Sequence, residues 1–239
     1  MNMSVLGKII SLPIPTSSFL LPRSTHHNPS PPPLPSTTAN VLPSVLNKTH
    51  LTRGLQSYSS LVQHCTALML SKCFTKLEKV LHTFHEISRK LEEEDETGQW
   101  SKRSRELEFD VERRVPDFMV IVAMVQQQAT LCSREQRSPQ AALLLEAALR
   151  LLWFYHKLFP SLVSKINFDI SKLLGIFTPT IGSTDSGDMG NDNVLIHQNQ
   201  SGLDVLRQLH VVHLLMESDQ FAWSSKLGTQ CCFPVLPYT

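Results

Sequence analysis

The chain has 239 residues, 41% hydrophobic and 18% charged, with a formal net charge of +1 at pH 7. So even a balance gives no bulk electrostatic reason to expect a nucleic-acid or anionic-membrane partner. The five cysteines, Cys65, Cys73, Cys132, Cys231 and Cys232, form no spaced framework, which points to a reducing compartment without structural disulfides.

Residues 1–50 are expected to form a disordered Pro/Ser/Thr-rich extension. Nine of the fifteen prolines fall there, including Pro31, Pro32, Pro33 and Pro35. Proline lacks the amide donor and fixes φ, so a regular ladder is hard to build. No acidic residue occurs before Glu78. An acid-free, Ser-rich start with Lys8 and Arg23 also raises an organelle transit peptide as an alternative. Scarce arginine and the prolines argue against it. A secretory signal fits poorly, because Lys8, Pro13 and Pro15 interrupt Val5 to Leu21.

From about Ser57 the pattern turns helical. Val62, Cys65, Met69, Cys73, Leu77, Val80, Leu81 and Phe84 recur at helical spacing as far as Leu91, which predicts one long amphipathic helix or two in line. The run Glu92-Glu93-Glu94-Asp95-Glu96, with Gly98, predicts a solvated loop or helix end. Trp100 to Val115 interleaves Lys102, Arg103, Arg105, Arg113 and Arg114 with Glu106, Glu108, Asp110 and Glu112. Such interleaving suits intrahelical ion pairs better than phosphate binding, which calls for basic residues without matching acids.

Pro116 punctuates the chain, and Asp117 is placed to cap the next helix. Phe118 to Val125 is nearly all apolar and β-branched enough for a strand. Its continuation into Gln126-Gln127-Gln128-Ala129 favours a helix. Ser138-Pro139 is a helix start, with serine to cap and proline at the first position. Pro160 ends that helix. Within it Glu146 and Arg150 stand at i, i+4, and Trp153 and Lys157 share their stripe. Leu143, Leu144, Leu145, Leu149, Leu151, Leu152, Phe154, Leu158 and Phe159 fill the rest. The charges argue against a membrane helix.

Glycines, Pro179 and five Asp/Asn between Asp185 and Asn193 predict a flexible loop at about 177–200. Asp185 to Asn193 resembles a calcium loop only superficially, since the twelfth-position glutamate is missing. Ser201 is expected to cap a last amphipathic helix bearing Leu203, Leu206, Leu209, Val212, Leu214 and Leu215. Residues 227–239 look like an irregular tail.

Little in the sequence asks for chemistry. His82 with His85, and His210 with His213, stand at i, i+3, but zinc needs further ligands at definable spacing. His213 shares a face with Leu206 and Leu209, which suits a core or interface histidine. There is no HExxH, CxxC, GxSxG or glycine-rich phosphate loop. No catalytic, cofactor-binding or metal-ligating residue is assigned, and no cofactor is expected. The expected architecture is all-α: an irregular HEAT-like α-solenoid segment over residues 51–226, without a strict repeat.

Leu144-Leu145-Glu146-Ala147-Ala148-Leu149, Tyr155-His156-Lys157, Pro160 and above all Asn167-Phe168-Asp169-Ile170-Ser171-Lys172-Leu173-Leu174 closely resemble one stretch of the nucleolar pre-ribosomal-associated protein 1 family. The resemblance runs from about Leu51 to Lys226. It includes His64 to Leu68 and Val115-Pro116-Asp117, and more weakly Leu206, His210 and Phe221-Ala222-Trp223. It implies a segment of a very large nucleolar α-solenoid. Such a protein scaffolds large-subunit ribosome assembly and pre-rRNA processing without an enzymatic step of its own. The implied partners are the pre-ribosomal particle and other assembly factors, with RNA contact left open and no membrane. The implied location is the nucleolus. The alternative is an independent short helical protein carried to mitochondria or another organelle by residues 1–50. The proline-rich N-terminus has no counterpart in the resemblance.

Overall fold

The computed structural model of the chain describes residues 3–94, 97–134, 139–166 and 193–217. These residues are mostly helical and contain no strand, an all-α arrangement among the described residues. An isolated bridge pairs Leu20 with His27. The helices are α1 (Met3–Ile10), α2 (Leu34–Val41), α3 (Lys48–Leu55), α4 (Ser60–Lys90), α5 (Gln99–Arg114), α6 (Phe118–Arg134), α7 (Pro139–Leu158), α8 (Pro160–Ser164) and α9 (Asn193–Glu217), with a 3₁₀ turn at Thr16–Phe19.

The spine is α4, 31 residues and so about 46 Å long at 1.5 Å per residue. Of the apolar positions that recur at helical spacing, Met69, Cys73, Leu77, Val80 and Phe84 are buried, Cys65 and Leu81 are half-buried, and Val62 is exposed. Ala67, Leu70, Phe74 and Ile87 are buried beside them. The helix α3 crosses its start so closely that a Cβ at Gly54 would collide with the Thr66 side chain. At the other end Glu92 takes φ 52° and the chain turns.

The acidic run is more than a solvated turn. Glu93 is half-buried, and its carboxylate accepts from the Trp100 amide (2.9 Å) and the Ser88 hydroxyl (3.2 Å). It thereby serves an amide of the first turn of α5, which would otherwise lack a partner. Gly98 makes room for it, since a Cβ there would stand 2.7 Å from that of Glu93. Asp95 and Glu96 lie outside the described residues. The charged helix α5 carries the expected internal pairs, Arg103 with Glu106 (3.0 Å) and Arg114 with Asp110 (2.9 Å). Asp117 pairs with Lys48 across the fold (2.6 Å).

Phe118 to Val125 is helical, as its polar continuation predicts, and lies within α6. The helix α7 runs from Pro139 to Leu158, and Pro160 both ends it and opens α8. Packed against α4, α6 and α9, it buries residues around most of its circumference. Phe74 of α4 meets Phe154, Tyr155 and Phe159 at ring distances of 5.8, 5.6 and 5.3 Å. The Tyr155 hydroxyl donates to the Pro116 carbonyl (2.8 Å), tying α7 to the junction before α6.

Two expectations need correction. The first is the disordered extension. Residues 3–50 are ordered into helices and turns, and Leu6, Ile10, Val41, Leu42 and Leu46 are buried in the common core. The prolines sit where they do no harm, with Pro35 in the first turn of α2. The segment has no core of its own, but the later helices supply one. Phe19 packs edge-on against Phe84 (5.9 Å) and Trp100 (5.8 Å). The Trp100 indole donates to the Asn28 carbonyl (3.0 Å), and Arg103 donates to that of Pro32. A boundary at residue 50 therefore separates no packed part from an unpacked one.

The second correction concerns the last helix. It begins at Asn193, so residues 193–200 belong to α9 and Ser201 is not its cap. The breakers Gly187 and Gly190 lie upstream, and a single interior Gly202 costs only about 1 kcal/mol. Ser138, residues 177–192, the Asn167–Leu174 string, the Phe221–Trp223 element and the tail at 227–239 fall outside the described residues.

Candidate functional site

A cluster of buried and half-buried polar side chains lies in the seam between α7 and α9. It grows from the stripe of α7 that carries Glu146, Arg150, Trp153 and Lys157. On an isolated helix this stripe would face water. In the fold, α9 lies over it, and Glu146 is only 3% exposed.

Glu146 is the hub. Its Oε1 accepts from Arg150 Nε (3.0 Å) on its own helix. It also accepts from His210 Nε2 (2.9 Å) on α9. Burial alone would raise the carboxyl pKa. The hydrogen bonds from His210 and Arg150 outweigh it and hold Glu146 below the ordinary carboxylate range. An ionised carboxylate can only accept, so His210 carries its proton on Nε2 in this bond.

Trp153 extends the seam. His213 stacks on its ring at 4.9 Å and His210 at 6.2 Å. Lys157 Nζ stands 5.1 Å from the same ring and pairs with Glu78 of α4 (2.7 Å). Ion pair, stacking and cation–π contact thus succeed one another along a single helix face. His210 Nδ1, His213 Nδ1 and Trp153 Nε1 are buried without a protein partner among the described residues.

His210 and His213 therefore stand where a packing or interface histidine is expected. His82 and His85 are exposed on α4. Among the described residues, no group of three or more His, Cys, Asp or Glu is arranged to hold a metal ion. Cys73 is buried, and burial pushes its thiol up to about 12, so it is a packing residue and not a thiolate at neutral pH. His156 is buried beside Phe118 (5.7 Å), and burial lowers its pKa to about 4.

Sequence reasoning finds the α7 stripe but misses its partners. Glu78 and His210 lie far from it in the chain. The available signal is a glutamate inside an otherwise apolar helix, since a buried carboxylate needs donors. A carboxylate–imidazole pair can orient a base; here Arg150 and His210 both donate to Glu146, while His210 Nδ1 and Trp153 Nε1 find no partner among the described residues. The arrangement serves to fix α9 on α7 in one register.

No family model matches the chain, and no curated protein or solved structure matches it significantly. No helix among the described residues is long and apolar enough to cross a membrane.

Proposed function

We propose that this chain is a non-enzymatic scaffold segment, of irregular HEAT-like α-solenoid type, acting in large ribosomal subunit assembly in the nucleolus. The nucleolar part of this reading rests on the resemblance of Ala141–Leu174 and its flanks. The scaffold part is supported by one structural observation. The helix α9 has two apolar faces. The inner face, with Val211 and Leu214, is buried on α7. The outer face carries Val205, Leu209, Val212 and Met216, which are 60%, 44%, 49% and 79% exposed.

These four residues step by four, three and four, the spacing of a seam that receives another helix. A helix packed on one side and apolar on the other is what the interior of a stacked array requires. The occupant we assign to that face is an amphipathic helix of a neighbouring assembly factor. The organelle-targeting alternative needs a free presequence. It draws no support from α1, whose Leu6 and Ile10 are built into the core.

Affinity purification of the tagged full chain tests this reading. Enrichment of large-subunit rRNA precursors over mature rRNA is expected. Recovery of no precursor rRNA would overturn it.

A further inference from the structure

We propose that the groove between residues 10–14 and α4 binds the phosphodiester backbone of single-stranded nucleic acid through Lys72, Lys76 and Lys79. This goes beyond the scaffold reading and concerns a different face of the molecule from α9.

The three lysines recur at i, i+4 and i+7 on α4. They span about 10 Å along the helix at 1.5 Å per residue. They line one wall of a groove of about 330 Å³, with Ser11, Leu12 and Ile14 opposite and no acidic residue in its lining. The close approach of α1 at Gly7 leaves Lys72 room, since a Cβ there would stand 3.2 Å from its Nζ. None of the three ammonium groups enters an ion pair among the described residues. Glu78, the nearest acid in sequence, is paired with Lys157. Elsewhere on the molecule Lys48 and Lys157 are ion-paired, as are Arg89, Arg103, Arg114, Arg150 and Arg207.

In sequence, residues 1–77 hold Lys8, Arg23, Lys48, Arg53, Lys72 and Lys76 against no acidic residue, with Lys48 paired to Asp117 from outside that stretch. The near-neutral whole chain hides this asymmetry.

The groove's hydroxyls narrow the ligand. Ser11 already donates to Gly7 O (2.7 Å) and Thr75 to Ser71 O (3.0 Å). The free side-chain donors are therefore the ammonium groups, which suit an acceptor-only anion. The lining contains no aromatic residue, so bases have no stacking platform and binding should track the backbone rather than the sequence. A flat bilayer reaches less well into a groove than a flexible strand. However, Val5 and Ile9 of α1, and Leu12 just after it, are exposed nearby, so anionic vesicles are the competing outcome to measure.

The test is fluorescence anisotropy of labelled oligouridylate with the full chain. Three phosphate contacts give a slope of log K against log[salt] of about −2, or roughly 20-fold weaker binding at 200 mM than at 50 mM salt. Lys72→Glu, Lys76→Glu and Lys79→Glu together should abolish binding. A control with the same charge change, Arg53→Glu, Lys90→Glu and Lys102→Glu, should keep it within about threefold. Circular dichroism must show both variants folded. Failure of the wild type to bind, equal losses in the two variants, or strong sequence preference would overturn the proposal. Binding to vesicles containing phosphatidylserine but not to oligouridylate would overturn it in favour of a membrane surface.

Discussion

Replacing Glu146 by alanine removes the one acceptor shared by Arg150 and His210. Breaking a buried ion pair from one side costs about 3–5 kcal/mol, because the surviving charge stays buried without a partner. Here His210 is enclosed, but the Arg150 side chain is 33% exposed and can turn partly to water. The expected loss is therefore about 2–3 kcal/mol. For a chain of this size that is a fall in Tm of roughly 4–12 °C. Urea denaturation monitored by circular dichroism and by tryptophan fluorescence reads it, since Trp153 lies in the same seam. Glu146→Gln keeps an acceptor oxygen and should lose less. The Glu146→Ala and His210→Ala changes should couple by more than about 0.5 kcal/mol. A Glu146→Ala chain as stable as wild type, or strict additivity with His210→Ala, would refute the seating of α9 on a buried carboxylate.

The same packing sets three further outcomes. His156 is held neutral, with a folded pKa near 4 against about 6.5 unfolded. Below pH 6.5 the unfolded chain binds a proton that the folded chain refuses, so stability should fall by about 3 kcal/mol between pH 6.5 and 4. His156→Phe should flatten that part of the pH profile in denaturant melts, and an unchanged profile would count against the burial. Cys73 should resist iodoacetamide at pH 8 until the chain unfolds, and mass spectrometry after timed quenching checks it. Gly202 lies within α9 with open space where a Cβ would stand, so Gly202→Ala should raise stability by about 0.5–1 kcal/mol in chemical denaturation.

Much of the helical frame is visible in local pattern. The periodic stretch ending at Leu91 becomes α4, Pro139 opens α7 and Pro160 closes it, because these features act within a turn or two of the residues that carry them. What stays hidden depends on distant partners. Residues 3–46 look incapable of packing when read alone. They pack because Phe84 and Trp100 offer them a surface from the other side of the fold. The Glu146 stripe looks solvated for the same reason, until α9 brings His210 across it. The start of α9 is obscured by a cluster of loop-forming residues that ends just before Asn193. Lys72, Lys76 and Lys79 merge into an amphipathic pattern, and only the groove beside residues 10–14 sets them apart from an ordinary polar face.

The scaffold reading meets its sharpest test in a sucrose gradient of cell extract, comparing the tagged wild-type chain with a Val212→Glu, Met216→Glu variant. Both substitutions sit on the exposed face of α9, so the fold should survive them. The expected result is wild type in the fractions holding large-subunit precursors and the variant at the top of the gradient. A wild-type chain that stays at the top would contradict the proposed function, and a variant that still co-sediments would contradict the assignment of α9 as the docking face.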